Sequence, residues 1–267
     1  SMRTGAGSRD PLTTLATVIA FVVLFVATFP LFVTAITAFN ATNETVFPPN
    51  GWSLRWFRNI ARQPELVQAA GFSLVLAVVS SAISISLGVV SAVALTRRKF
   101  FGRDLIDAFL MSPLLVPQVI LGLSFLVFFV RVGSRQPFLN LLFLHVVITF
   151  PYALRVIRSS LTRMNPKLEE AAVGLGASSL KSFFLVTFPQ MRPSLFVAIF
   201  FCFVVSFDNF TATAFLTVSG ATLPVQMYFN IESSLDPTIS AISALLIVTS
   251  AIFVIVADRI VGVEKIV

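Results

Sequence analysis

The sequence predicts an all-α, polytopic membrane protein with about six transmembrane helices. Of its 267 residues, 57% are hydrophobic and only 12% are charged, and the mean hydropathy is +0.93. A soluble domain of this length needs much more polar surface than that. The apolar residues also come in long unbroken runs. A transmembrane barrel would show short segments of alternating polarity, so the runs indicate helices.

Six apolar runs reach the length of about 20 residues that a helix needs to cross the hydrocarbon core. The spans are predicted at 12–39, 66–95, 105–131, 138–158, 194–218 and 238–261. The fourth has the least defined bounds, because His145 and Pro151 interrupt it. The spans form a single membrane domain over 12–261, with a loop at 159–193 and short tails at 1–11 and 262–267.

The basic residues predict how this domain is oriented. With both termini in the cytoplasm, 14 of the 19 Lys and Arg residues fall on the cytoplasmic side. Positive charge is enriched there in membrane proteins. The net charge of +7 is therefore read as a membrane signature, which leaves no reason to expect nucleic-acid binding. The chain has one cysteine, Cys202, inside an apolar run, and it is expected to be a buried residue without a functional role.

Two tryptophans follow the turn at 48–51 in the first external loop. Trp52 and Trp56, with Phe57, suit the membrane interface, where amphipathic rings prefer to lie. Arg55 and Arg58 could contact lipid headgroups. Docking of an external partner is the alternative role for this loop.

The loop at 159–193 contains a soluble-looking helix, a glycine bend and a second helix. Asn165 and Pro166 predict a helix start, and acids in the first turns suit the positive end of the helix dipole. Glycines then stop or bend the chain. Ser178 caps a second helix that runs to Phe188, and Pro189 ends or kinks it. The residues predicted to form an exposed contact surface are Glu169, Glu170, Ala171, Ala172, Gly174, Gly176, Ala177 and Ser178.

The spacing in this loop resembles the EAA loop of permease subunits of ATP-binding cassette importers, in the binding-protein-dependent type I family. That pattern is E-A-A, three residues, G, nine residues and I-x-L-P. Here it reads Glu170-Ala171-Ala172, Gly176 and Val186-Thr187-Phe188-Pro189. Residues 165–189 are called the EAA segment below. The stretches LPVQMYFN, SFDNF and GWSLRWFRN resemble the second permease of spermidine/putrescine-type systems.

The resemblance implies a type I importer permease fold in a bacterial inner membrane. The EAA segment would be a coupling helix that docks on a separate ATPase dimer, which would hold ATP and Mg. Further implied partners are a second permease subunit, a paralogue rather than a copy, and an external solute-binding protein. The chain itself needs no cofactor or metal and performs no chemical step. Its sequence contains no GxxxxGK[ST] phosphate loop, HExxH helix or GxSxG motif.

Polar residues inside the spans are candidates for lining a solute pathway, because such residues are costly in lipid. Asp208 is predicted to lie past the midplane of the fifth span and to favour a cation. The other candidates are Asn209, Thr211, Thr213, Gln118 and Tyr152. Pro113 and Pro117 predict a break in the third span beside Gln118. Packing or helix–helix hydrogen bonding is the alternative reading for each. It is favoured for His145.

The expected solute is a polyamine or a related small polar molecule. Ferric iron, a phosphonate, an opine or an amino-acid derivative is the alternative within the same importer class. A self-sufficient channel or secondary transporter would explain Asp208 and the prolines, but it would leave the EAA segment unexplained.

Overall fold

The computed structural model describes residues 11–217, 222–233 and 236–261. Within these ranges the chain contains eleven α-helices and no strand. They are α1 (Pro11–Thr37), α2 (Arg55–Ile60), α3 (Pro64–Arg97), α4 (Arg103–Met111), α5 (Gln118–Val132), α6 (Pro137–Arg163), α7 (Lys167–Gly174), α8 (Ser179–Ser182), α9 (Phe188–Phe207), α10 (Leu223–Ser233) and α11 (Thr238–Val261). The predicted tails at 1–11 and 262–267 lie, except for residue 11, outside the described residues.

The described helices include five that are long and apolar enough to cross a membrane, or six if one sharply bent pair is a single span. The all-α polytopic fold is therefore confirmed. The fourth predicted span, at 138–158, is one uninterrupted helix, α6, despite Pro151 inside it. The contacts divide the described residues into two compact units, residues 11–62 with 233 and 236–251, and residues 63–232 with 252–261. The predicted single domain over 12–261 stays a prediction.

The first unit is built around Trp56 on α2. Its ring is only 7% exposed and packs with Ala38, Ala241 and Ala244, and its Nε1 donates a hydrogen bond to the carbonyl of Asn40 at 2.7 Å. Trp56 therefore does not offer its ring to lipid headgroups as the sequence predicted, because the ring is buried and its polar atom has a partner in the protein. For Trp52, which is 73% exposed, the predicted place at the membrane interface stays a prediction.

The second unit is held together by close packing of α3, α6 and α9. A Cβ atom added to Gly88 of α3 would lie 3.0 Å from the Cβ of Ala153 on α6. The same cluster contains buried alanines and leucines and Cys202, which is buried and free as expected. Small residues let helix backbones approach closely in lipid, where apolar burial alone does not drive association.

The third predicted span, at 105–131, is broken. Helix α4 continues into a 3-10 turn at Ser112–Leu114, and α5 starts at Gln118 after a bend of 99°. Pro113 and Pro117 explain the break, because neither can donate the backbone hydrogen bond that a continuous helix needs. This prediction is confirmed, and the bend places Gln118 at the first position of α5.

The fifth span differs from the prediction at both ends. It is helical from Ser179 to Phe207, whereas the sequence predicted 194–218. A π-helical turn at Phe183–Thr187 leads into α9, so the helix passes through Pro189 and does not end there. The apolar run 210–217 belongs to a non-helical segment and a short 3-10 turn at Thr213–Phe215.

Candidate functional site

The start of α7 in the EAA segment forms as its sequence predicts. The Asn165 side-chain oxygen accepts a hydrogen bond from the backbone N–H of Lys167 at 3.0 Å. This bond satisfies one of the free donors at the helix start. Glu169 and Glu170 follow in the first turn, where the helix dipole favours negative charge. The short helix is thus stabilised locally, without a buried face of its own.

The end of α7 is fixed by Gly176. The Gly176 N–H bonds to the carbonyl of Val173 at 2.9 Å, and the Ala177 N–H bonds to the carbonyl of Ala172 at 3.1 Å. This pair of bonds defines a Schellman motif, whose C′ residue takes a left-handed conformation. Gly176 has φ +92°, which is the conformation that glycine adopts without a Cβ penalty. Gly174, in contrast, is an ordinary helical residue, so only Gly176 makes the predicted bend.

The residues around this bend form a protruding surface. Ala172 and Ala177 are half-buried and support it, and the Ser178 side chain caps α8 by accepting from the Lys181 N–H at 3.3 Å. Leu175 at the tip is 91% exposed. The predicted contact residues that are exposed are Glu170, Ala171, Gly174, Gly176 and Ser178.

Glu169 does not belong to that exposed surface. Its Oε2 lies 3.2 Å from the Nε of Arg97 at the end of α3, and both side chains are about three-quarters buried. The Glu169 carbonyl also accepts a hydrogen bond from the Ser182 hydroxyl at 3.1 Å. The two adjacent acids therefore have different roles, because successive helix positions point in different directions. Glu169 ties α7 to α3, whereas Glu170 has no partner among the described residues.

A groove of about 1380 Å³ runs between α3, the EAA segment and α9. Its walls are mainly apolar, with Val89, Val93, Phe184 and Leu195 among them, and the ionic groups of Arg97, Arg98, Glu169 and Glu170 lie along its lining. The EAA segment is thus joined to α3 by the Arg97–Glu169 pair but is not packed tightly along its whole length.

A second candidate site is a chain of buried polar side chains between the spans. The Asn209 Nδ2 donates to Gln118 Oε1 at 3.1 Å, and Asn209 Oδ1 accepts from the hydroxyl of Thr213 at 3.2 Å. Thr213 in turn lies 3.0 Å from His145 Nε2, and His145 Nδ1 lies 2.7 Å from the hydroxyl of Ser206. The chain ends at Ser80 of α3, 2.9 Å from Ser206.

This polar chain brings together three of the six predicted pathway residues, Gln118, Asn209 and Thr213. It connects α3, α6 and α9 to the first residue of α5. His145 is only 1% exposed and has a partner on each ring nitrogen, which is the helix–helix bonding that the sequence favoured. Close packing supports the chain, because a Cβ on Gly122 of α5 would lie 2.6 Å from the carbonyl oxygen of Ala212.

The other three predicted pathway residues lie elsewhere. Asp208 and Thr211 are exposed, and Tyr152 packs against the hydrophobic cluster of α3, α6 and α9. Asp208 follows the last residue of a helix that is 29 residues long, or ~43 Å at 1.5 Å per residue. It therefore lies at the end of the fifth span. The helix starts 15 residues earlier than predicted and ends before Asp208, and the predicted place of Asp208 past the midplane of the membrane stays a prediction.

The sequence reading missed two members of the polar chain, Ser80 and Ser206. Ser84, one turn after Ser80, makes a parallel bond to Thr149 of α6 at 2.7 Å. Serines four residues apart lie on one helix face, so the pair in α3 was a usable signal. Small polar side chains are common in apolar spans, however, and their partners are 61 to 126 positions away along the chain.

The fold and this pair of sites define a multi-pass membrane transport protein, and comparison with known proteins identifies its family. Residues 84–263 match the family model described as "Binding-protein-dependent transport system inner membrane component", and the chain belongs to this family. It is 30% identical over 248 residues to the putrescine transport system permease protein PotI of Escherichia coli (strain K12). The matched region covers 90% of this chain and 86% of that protein. It is 29% identical over 224 residues to the spermidine/putrescine transport system permease protein PotC of the same organism, over 83% of this chain and 85% of that protein.

Solved structures show the same fold. A bacterial ABC transporter involved in the import of the acidic polysaccharide alginate has a TM-score of 0.66 at 14% identity, covering 96% of this chain and 99% of that chain. An amino acid ABC transporter crystallised with histidines has a TM-score of 0.58 at 19% identity, covering 76% and 98%. The predicted permease fold of an ATP-binding cassette importer is confirmed.

Proposed function

We propose that this chain forms half of the solute pathway of an ATP-driven polyamine importer and couples to a separate ATPase dimer through the EAA segment. The family membership and the polyamine permeases among the relatives support the importer class and the solute. The second permease subunit is proposed to be a paralogue, and an external binding protein to deliver the solute. In this arrangement both termini and the EAA segment face the cytoplasm.

The observation that supports the coupling role is that Glu169 is paired within the protein, whereas Glu170 is exposed. Glu170 is exposed and free to make a charge-assisted hydrogen bond to a basic group of the ATPase. Glu169 is bound to Arg97 at the end of α3, and Ser182 bonds to the same residue. A displacement of α7 by the ATPase would therefore be transmitted to α3 through Arg97, and through Ser182 of α8 to α9.

The solute pathway is proposed to include Asp208, whose exposed carboxylate has no partner among the described residues. A carboxylate attracts a protonated amine and offers it hydrogen-bond acceptors. Its position beyond the end of α9 places it at the opposite end of this span from the EAA segment. The solute would meet Asp208 early on its way from the external side.

The proposal is tested first by co-purification from detergent. An importer subunit brings down an ATPase with this chain, whereas a self-sufficient channel or secondary transporter is recovered alone. Recovery of the chain alone from cells that express the whole system would contradict the proposal.

The second test compares Asp208→Asn with Asp104→Asn, a matched change of an exposed acid on α4. In proteoliposomes with the complete complex, Asp208→Asn is expected to reduce putrescine uptake strongly, and Asp104→Asn is expected to leave it near the wild-type rate. Equal rates in the two variants would remove Asp208 from the pathway.

A further inference from the structure

The amide of Asn209 has one orientation that satisfies its neighbours. The backbone N–H of Ala212, at 3.3 Å, and the hydroxyl of Thr213, at 3.2 Å, meet the same atom, Oδ1. An amide NH₂ in that place would face the N–H of Ala212, donor against donor. The Asn209 oxygen is therefore fixed on this side, and its NH₂ group must point toward Gln118.

The hydrogens of the other polar side chains can then be assigned by counting the donors and acceptors of each. Thr213 has one hydroxyl hydrogen, which goes to Asn209, so it accepts from the Nε2–H of His145. A neutral imidazole then accepts at Nδ1 from Ser206, and Ser206 accepts from Ser80, whose hydroxyl also lies 3.3 Å from the carbonyl oxygen of Ala77. The imidazole is neutral here, since no acid among the described residues contacts it and an unpaired charge at 1% exposure is costly. Every bond thus donates in one direction, from Ser80 to Gln118.

Gln118, the last residue in this series of hydrogen bonds, is left with an unused donor. Gln118 accepts from Asn209 through Oε1, so its Nε2 amino group points away from the chain. This group has no partner within the described ranges, and Gln118 is partly buried at the break between α4 and α5. A carboxylate or a flipped amide at this place would offer an acceptor. The polar chain instead fixes a donor.

We infer that Gln118 is a specificity-determining residue that donates a hydrogen bond to an oxygen of the transported solute. The inference rests on the proposed function and narrows its substrate class. A protonated amine has donors only and cannot accept from Gln118. Within the proposed polyamine class, the structure therefore favours a solute that also carries a carbonyl, carboxylate or hydroxyl oxygen.

The test uses two probes that differ in this respect, putrescine and N-acetylputrescine, which keeps one ammonium group and adds a carbonyl. Uptake is measured in proteoliposomes that contain the complete complex and its binding protein. Gln118→Glu keeps the size of the side chain and the acceptor for Asn209, but it replaces the free donor by a charged acceptor. Because the binding protein is unchanged, any change in the ratio of the two uptake rates comes from the permease.

We expect Gln118→Glu to lower the uptake ratio of N-acetylputrescine to putrescine by about tenfold or more. Gln118→Met, which has neither a donor nor a charge, is expected to lower it less. An unchanged ratio in both variants overturns the inference. A wild-type complex that imports neither probe, and no other small cation, would contradict the proposed function itself.

The direction of the hydrogen bonds between Ser80 and Thr213 is tested separately, by a measurement that does not involve transport. The chain contains one histidine, so selective ¹⁵N-histidine labelling of the purified permease gives the signals of His145 alone. A protonated Nε2 and an unprotonated Nδ1 are expected. The opposite tautomer would overturn the assigned direction of the bonds from Ser80 to Thr213, whereas the orientation of Asn209 rests on the Ala212 N–H and is tested through Gln118 by the uptake ratio.

Discussion

The conformation of Gly176 gives the sharpest prediction about the EAA segment. At φ +92° a residue with a Cβ pays about 1–2 kcal/mol. Apart from Gly176 and its two chain neighbours, no residue has an atom within 4 Å of the place that the Cβ of Gly176→Ala would take, so the cost comes from the backbone. A destabilisation of this size shifts the ratio of folded to opened bend by about 5–30-fold.

Gly174→Ala is the matched control. Gly174 is two residues away, equally exposed and also without an atom within 4 Å of its would-be Cβ, but it has an ordinary helical φ. Alanine there is expected to be neutral or to stabilise α7 by up to about 1 kcal/mol. The two variants thus add the same atom to the same surface and differ only in backbone strain.

The assay is amide hydrogen exchange in the purified permease, followed at Gly176 and Ala177, whose N–H groups make the Schellman bonds. Exchange is expected to rise by about 5–30-fold at position 176 and at Ala177 in Gly176→Ala and to stay unchanged or fall in Gly174→Ala. In the reconstituted complex, uptake per ATP hydrolysed is expected to fall with the same order of effect. Equal exchange in the two variants would refute the argument that Gly176 sets the bend.

Three further predictions concern single contacts. Glu170→Lys is expected to leave the protein in the membrane but to abolish co-purification with the ATPase; retention of the ATPase would remove Glu170 from the contact. Arg97→Glu and Glu169→Arg are each expected to reduce uptake, and the double variant is expected to restore it. In a double-mutant cycle measured by thermal unfolding, the coupling energy of the pair is expected to be about 0.5–1 kcal/mol. Additive losses would show that the pair does not connect α7 to α3. Gly122→Ala is expected to destabilise the permease by about 1–3 kcal/mol, because the new Cβ meets a backbone oxygen, whereas Gly71→Ala in α3 meets nothing within 4 Å and should leave the melting temperature unchanged or raise it.

The local features of the EAA segment were predictable because their causes are local. The cap at Asn165, the bend at Gly176 and the cap at Ser178 depend on residues within five positions of each other. The break of the third span was predictable for the same reason, since Pro113 and Pro117 lack the donor that a helix needs. Hydropathy located the spans because every backbone group in lipid must be bonded within its own helix.

The partners of the polar residues were not predictable in this way. Glu169 and Glu170 look alike in the sequence, and only the position of Arg97, 72 residues earlier, separates the acid that binds α3 from the acid that is free. Trp56 was expected at the membrane surface and is buried against α11, because Asn40 supplies a carbonyl for its ring nitrogen. The end of the fifth span was missed because the apolar residues after Asp208 are compatible with helix or loop.

The sequence by itself determined that the chain crosses a membrane several times, where the spans lie, and which short segment has the spacing of a coupling loop. These properties follow from hydropathy, capping residues, glycine and proline, which act over one or two helical turns. Only the tertiary structure decided that Ser80, Ser206, His145, Thr213, Asn209 and Gln118 form one continuous series of hydrogen bonds. The physical reason is that a hydrogen bond depends on distance and direction between groups far apart in the sequence, which helix packing alone brings together.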